Sequence, residues 1–270
     1  MLKTRILTAL VIAPIALAGV FLLPETGFAV FVALIMAVGA WEWALLAGLT
    51  GAGRILYAVF VTGVLPGVYY VPTALILSLG VGWWLVAFVL VLRYPNLVRV
   101  WSSRLTRSAI GLFVLIPTWK AMLLLKTYPD SNYLIFFLFS LIWGADIGAY
   151  FIGKAFGQRK LVPHVSPGKS WVGFFGGLVT ALVIAIVMSL INQNPEILTI
   201  HGILFLIGCI AVAMVSVVGD LSISMFKRNA GVKDSSNLLP GHGGFLDRID
   251  SLLSASPVFA LFILFFGWPS

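Results

Sequence analysis

Residues 202–225 read GILFLIGCIAVAMVSVVGDLSISM, an apolar run in which Asp220 is the first charged residue. A helix needs about 20 mainly apolar residues to cross the hydrocarbon core of a bilayer. This run is therefore predicted to be a transmembrane helix. Its charged end leads into residues 219–250, GDLSISMFKRNAGVKDSSNLLPGHGGFLDRID, which hold four of the nine acidic residues of the chain.

The rest of the chain resembles this run in composition. Of 270 residues, 61% are hydrophobic and 10% are charged, whereas a soluble domain carries about 25% charged residues. We therefore predict an all-α integral membrane protein with about nine transmembrane helices, divided into an N-terminal region (1–130) and a C-terminal region with the polar loops (131–270). The predicted spans lie near 6–23, 28–48, 55–71, 73–92, 108–125, 132–152, 171–191, 202–225 and 249–268.

The placement of basic residues predicts the orientation. With the N-terminus in the cytoplasm and the C-terminus outside, only Lys120 and Lys126 of the 17 basic residues fall elsewhere than in cytoplasmic segments. This is the distribution that the positive-inside rule requires. The net charge of +8 is explained in the same way, so we expect no nucleic acid as a partner. The polar segments 153–170 and 226–248 then both face the cytoplasm.

Helical spacing brings the charged residues of the polar segment together. Asp220, Ser224 and Lys227 stand at i, i+4 and i+7, and Asp247 and Asp250 stand at i and i+3, so each set shares a helix face. Carboxylates on two adjacent helices favour a hard divalent cation such as Mg²⁺. Between them, residues 240–244 (PGHGG) allow backbone N–H groups to approach a phosphate.

The same stretch carries a motif. Residues 224–250 read SxFKRx4KDxSx2LPxHGGFxDRID, and the chain also has DIGAYFxGKxFG at 146–157 and SPxKSW at 166–171. This pattern is similar to the signature of the phosphatidate cytidylyltransferase (CDP-diglyceride synthase) family. The resemblance is specific over residues 146–250. That family usually has Thr at the position of Ser170 and Glu at that of Val172, which leaves the role of position 172 open.

The resemblance implies an enzyme in which CTP and phosphatidate give CDP-diacylglycerol and pyrophosphate with Mg²⁺, in the cytoplasmic (inner) membrane. We expect Asp220 and Asp247 to bind the metal, with Asp250 and Asp146 as second candidates. The remaining expected catalytic or binding residues are Ser224, Lys227, Arg228, Lys233, His242 and Arg248, together with Lys169, Gly243 and Gly244. Phosphatidate should enter a laterally open pocket from the cytoplasmic leaflet. A homodimer is expected because it is the commonest oligomer.

Two other functions stay open from the sequence alone. A CTP-dependent polyprenol or phytol kinase would release CDP rather than pyrophosphate. A secondary transporter could use intramembrane acids for coupling, but the polar loop would then have no purpose. The pattern of a CDP-alcohol phosphotransferase is not found. Glu42, within the second span, fits either a functional role or a buried hydrogen bond to another helix.

Overall fold

The computed structural model describes residues 2–192 and 199–267, without the side chains of residues 2–7 and 9. The side chains of Lys3 and Arg5 and the predicted last residue of the final span, 268, thus lie outside the described part. The elements are α1 (Leu2–Phe21), α2 (Glu25–Leu46), α3 (Ala52–Tyr69), α4 (Thr73–Leu92), α5 (Val98–Trp101), α6 (Arg104–Lys126), α7 (Ser131–Phe156), β1 (Lys160–Val162), β2 (Ser166–Ser170), α8 (Trp171–Ile191), α9 (Ile200–Asn229) and α10 (Leu246–Phe266).

Within the described residues, eight helices are long and apolar enough to cross a membrane: α2, α3, α4, α6, α7, α8, α9 and α10. The predicted architecture of apolar membrane helices is therefore confirmed, and one short β-hairpin is added to it. The predicted first span corresponds to α1, whose described apolar part, Leu10–Phe21, is shorter than a full span. A ninth span and the orientation of the termini stay predictions. Helices from both predicted regions pack together, since α10 contacts α9 as well as α4 and α6.

The predicted polar segment 153–170 contains an element that the sequence analysis missed. Strands β1 and β2 pair antiparallel, with Lys160 opposite Ser170 and Val162 opposite Ser166. The hairpin ends directly at α8, where the Ser170 hydroxyl accepts a hydrogen bond from Gly173 N at 3.1 Å and so caps the helix. Serine in place of the family's usual threonine keeps this capping hydroxyl.

An aromatic cluster holds the polar end of α9 against α2. The Phe226 ring lies 5.0 Å from the Trp43 ring and 4.8 Å from the Trp101 ring, between centroids, and all three side chains are buried. Trp43 Nε1 also donates to Arg107 O at 2.8 Å. Aromatic pairs at such separations stabilise by about 0.5–1.5 kcal/mol beyond burial. The cluster therefore fixes the position of Lys227, the next residue along α9.

Helices α7 and α8 pack against each other through small residues. Gly144 and Gly148 on α7 and Gly173 and Gly177 on α8 form two small-xxx-small motifs, which allow helix backbones to approach closely within a bilayer. A Cβ at Gly177 would lie 2.7 Å from the backbone oxygen of Ala145. The packing of α7 against α8 places Ser170, where the β1–β2 hairpin ends, beside the polar end of α7.

We expect Gly177→Ala to lower the free energy of unfolding by about 1–3 kcal/mol, because the new methyl group meets backbone rather than a movable side chain. Gly82→Ala on α4 is the matched control, since a Cβ there meets nothing within 4 Å and alanine favours a helix over glycine by about 1 kcal/mol. Thermal unfolding in detergent, followed by circular dichroism, measures both. Equal midpoints for the two variants would contradict the packing argument.

Candidate active site

A buried carboxylate organises the loop before α10. Glu42 on α2 has no exposed surface. It accepts hydrogen bonds from Phe245 N at 2.8 Å and Leu246 N at 2.6 Å, from the Ser235 hydroxyl at 2.8 Å and from the Ser236 hydroxyl. Both backbone donors belong to the start of α10, where a negative charge is stabilised by the unpaired N–H groups of the first turn. Of the two roles left open for Glu42, the structure supports the buried hydrogen bond to another helix.

Asp247 is held from three sides. Its Oδ1 accepts from Lys227 Nζ at 2.6 Å in an ion pair whose side chains are 10% and 6% exposed. Its Oδ2 accepts from Ser235 N at 2.9 Å and Gly244 N at 3.1 Å, and the Ser235 hydroxyl lies within 3.2 Å. Both oxygens are therefore engaged, and Asp247 joins the end of α9 to the loop and to α10.

Asp220 is engaged by the hairpin. Lys169 Nζ on β2 lies 2.6 Å from Asp220 Oδ2, and the Ser224 hydroxyl donates to Asp220 Oδ1 at 3.3 Å. The predicted shared helix face of Asp220 and Ser224 is thus observed. The Lys169–Asp220 pair is about one quarter exposed, so it contributes little stability and is open to exchange with a ligand.

Two further carboxylates lie beside this pair. Asp250 interacts electrostatically with Asp220, Lys169 and Lys227, and its Oδ1 accepts from Ser251 N at 2.8 Å. Asp146 on α7 interacts with Lys169 and Asp220. Three acids from three helices therefore interact electrostatically with Lys169, and Asp220 is the one in direct contact with it. Among the described residues, no three acidic, His or Cys side chains already stand at the spacing of a complete metal cage.

The loop residues Gly243 and Gly244 differ in their surroundings. The N–H of Gly244 is bonded to Asp247, and a Cβ at this position would lie 1.9 Å from the Ser235 hydroxyl. Close packing thus requires glycine here, and this N–H is not free for the phosphate that the sequence suggested. Gly243 has φ +84°, a conformation that glycine adopts without strain. Its carbonyl accepts from Leu239 N.

His242 and Arg248 lie at the outer side of the loop. Arg248 Nη2 donates to His242 O at 2.7 Å, and its side chain is exposed. His242 Nδ1 is buried without a hydrogen-bond partner in the described part of the chain. A buried polar atom without a partner is uncommon in native structures, and this one borders the cavity described next.

Arg228 and Lys233 lie at the exposed rim. Arg228 Nε donates to Val165 O of the hairpin at 3.5 Å, a long bond that leaves the guanidinium open to solvent. Lys233 is exposed on the loop after α9. Neither cation is held at the cluster of acids, so both are placed to meet a charged ligand from outside.

A cavity of about 710 Å³ connects the cluster to the apolar interior. Asp146, His242, Asp247, Arg248 and Asp250 line its polar end. Mainly apolar side chains of α1, α2, α6, α7, α10 and the loop before α10 line the remainder. Its volume falls within the range of roughly 300–1,000 Å³ that is usual for ligand pockets. The cavity therefore suits a ligand that has both a charged and an apolar part.

Comparisons with known proteins agree with a ligand that has both a charged and an apolar part. The model of the cytidylyltransferase family matches residues 3–266. The chain belongs to this family. It is 51% identical to phosphatidate cytidylyltransferase of Pseudomonas aeruginosa over 99% of each chain, and 41% identical to that of Haemophilus influenzae over 98% of this chain and 99% of the relative. Membership of this family confirms the predicted nucleotidyltransferase and rules against the transporter considered above.

Sequence reasoning missed two contributors to the site. Ser235, which bonds both Glu42 and Asp247, stands at an unspecified position of the motif, between Asp234 and Ser236, and so carried no signal. The hairpin that delivers Lys169 was missed because strands of three and five residues, KLV and SPGKS, are too short for an alternating pattern.

Proposed function

We propose that this chain transfers the cytidylyl group of CTP to phosphatidate and releases pyrophosphate, forming CDP-diacylglycerol for phospholipid biosynthesis. The observation that carries the proposal is that one cavity has both a charged end and a mainly apolar remainder. Phosphatidate has the same two parts. The related enzymes from P. aeruginosa and H. influenzae, which bear the name of this activity, support the choice of reaction.

The chemistry explains why the site is rich in charge. An oxygen of the lipid phosphate attacks the α-phosphorus of CTP, a P–O bond forms, and the bond to the β-phosphate oxygen breaks. The attacking phosphate monoester is largely dianionic at neutral pH, since the second pKa of such esters is about 6. It therefore needs no strong base. The barrier arises from bringing two anions together, and fixed cations lower it.

We propose different tasks for the cations of the site. Lys169 would leave Asp220 to bind phosphate oxygens of CTP, because their ion pair is partly exposed. Lys227, buried beside Asp247, would contribute positive charge without moving. Arg248 and the unpaired His242 Nδ1 would receive the lipid phosphate at the mouth of the cavity. Arg228 and Lys233 would guide CTP to the rim.

The acids fit Mg²⁺ as the predicted cofactor. Mg²⁺ usually takes one or two protein carboxylates and completes its shell with phosphate oxygens and water, so a complete protein cage is not required. Asp220 and Asp250, like charges that interact electrostatically, are the better candidates to hold it, with Asp146 next. Asp247 has both oxygens engaged and fits a positioning role better. When bound, the ion would neutralise charge on the phosphates of CTP.

The orientation belongs to the same proposal. The basic residues predict that the loop and the hairpin face the cytoplasm, where CTP is available. We accordingly propose an N-terminus in the cytoplasm, a C-terminus outside and a location in the inner membrane, with a homodimer as the oligomer.

Product analysis tests the function. Purified protein in mixed micelles is given radiolabelled CTP, Mg²⁺ and either phosphatidate or diacylglycerol. We expect CDP-diacylglycerol and pyrophosphate in equal amounts with phosphatidate, no reaction with diacylglycerol, and loss of product when EDTA removes Mg²⁺. Formation of CDP with a phosphorylated alcohol would instead establish a kinase. Omission of the lipid is the control for hydrolysis of CTP.

A further inference from the structure

The apolar part of the cavity has a definite length. Its wall on α1 runs from Thr8 to Phe21, a rise of roughly 20 Å at about 1.5 Å per residue. One leaflet of the hydrocarbon core is about 15 Å thick, half of the usual 30 Å. The cavity is thus long enough to take a fatty acyl chain from its ester end to its methyl end.

Helix α1 is hydrogen-bonded to the rest of the protein at Thr8 and at its C-terminal end, and residues between these points line the cavity. The Thr8 hydroxyl donates to Pro240 O of the loop at 3.0 Å. At the far end, Lys126 Nζ donates to Val20 O at 2.9 Å and Asn132 Nδ2 donates to Phe21 O at 3.1 Å. The helix therefore forms one side wall of the cavity.

The two faces of α1 differ. Ala13, Ala16 and Leu17 line the cavity, whereas Leu10 and Ile15 point away from it and are 64% and 58% exposed. The small side chains of Ala13 and Ala16 on the inner face leave room that a bulkier residue would fill. The outer face is suited to contact with lipid.

Two large apolar side chains, one on α1 and one on α7, both line the cavity and are half exposed. Leu17 on α1 and Trp143 on α7 both line the cavity and are 51% and 53% exposed. We infer that an acyl chain enters sideways between these two side chains, without leaving the apolar phase, while its headgroup stays at the charged end.

We propose that this cavity binds one acyl chain of phosphatidate and that α1 sets the chain length the enzyme accepts. The proposal rests on the proposed function. The phosphate lies near His242 and Arg248, and the chain runs along Ala16 towards Val20 and Met122. The continuity of the apolar walls with the charged end identifies the occupant, because a detached hydrocarbon would not explain the acids and cations at the mouth.

Chain-length preference tests the proposal. We expect Ala16→Phe to lower kcat/KM for dioleoyl phosphatidate about tenfold, because the ring overfills the middle of the cavity, and to change kcat/KM for dioctanoyl phosphatidate far less. Ala18→Phe is the matched control, since Ala18 is exposed on the same helix and outside the cavity lining. In Ala18→Phe, the ratio of kcat/KM for dioleoyl phosphatidate to kcat/KM for dioctanoyl phosphatidate should equal that of the wild type. Equal losses for both lipids in Ala16→Phe, or no loss, would overturn the proposal.

A second measurement uses the wild-type chain, in case Ala16→Phe does not fold. Phosphatidate with a diazirine at the end of an acyl chain is irradiated with the protein, and the labelled peptides are mapped. Labelling of peptides that contain Val20 or Met122 is expected. Labelling confined to the outer faces of α3 and α4 would overturn the proposal. A wild-type enzyme that converts neither lipid would count against the proposed function, and the labelling pattern would still decide where the chain binds.

Discussion

Glu42→Gln is expected to lower turnover about 100-fold, because displacement of reacting groups by about 1 Å costs this much. The carboxylate of Glu42 accepts two hydrogen bonds at each oxygen, and each oxygen faces one backbone N–H of the start of α10. A glutamine has one oxygen and one NH₂ group. In either amide orientation, one of those N–H groups faces another donor.

The same substitution should lower stability by about 3 kcal/mol, the upper range for a buried donor left without a partner. The matched control is Glu25→Gln, at the exposed opposite end of α2. Turnover and the unfolding midpoint are measured for both variants. The requirement for Mg²⁺ should be unchanged in Glu42→Gln, since Glu42 contacts the loop and α10 rather than Asp220. Retention of both stability and turnover would show that Glu42 does not position the loop.

The role of Glu42 could not be predicted from the sequence, whereas the helices and the local contacts could. Hydropathy predicted the membrane helices, because a bilayer requires long apolar segments whatever their partners. Local spacing also predicted that Asp220 and Ser224 meet. The partners of Glu42 lie about 200 residues further along the chain, as the bond to Leu246 shows. No periodic pattern connects residues so far apart, so only the packing of α2 against α10 reveals the pair.

The ends of the helices were predicted less accurately, because they also depend on residues that are distant in the sequence. The span 202–225 was ended before Phe226, but α9 continues to Asn229. Hydropathy falls at Lys227 and Arg228, yet basic residues are favourable in the last turn of a helix, and the buried Lys227 is compensated by Asp247. Likewise α10 begins at Leu246, before the predicted residue 249. The carboxylate of Glu42 accepts from Phe245 N and Leu246 N at the start of the helix, and that of Asp247 accepts from Gly244 N in the preceding loop.

The two acids first assigned to metal should respond differently to the loss of charge. Asp220→Asn is expected to lower kcat about 10²–10³-fold, the usual cost of losing one stabilising group at a developing charge. Its unfolding midpoint should stay near that of the wild type. The ion pair with Lys169 is partly exposed and contributes little, and the substitution also relieves repulsion between Asp220 and Asp250.

Asp247→Asn should lose both activity and stability, because it leaves Lys227 as a buried charge without its partner, at a cost of about 3–5 kcal/mol. The Mg²⁺ dependence separates the two roles. In Asp220→Asn, half-maximal activity should require more Mg²⁺, and stabilisation of the folded protein by Mg²⁺ should diminish. In Asp247→Asn, both responses to Mg²⁺ should persist at the residual activity. Asp130→Asn, an exposed acid in the connection between α6 and α7, is the control for both. If Asp247→Asn shifts the Mg²⁺ dependence and Asp220→Asn does not, Asp247 is the metal ligand, and the proposed division of labour between the two acids is wrong.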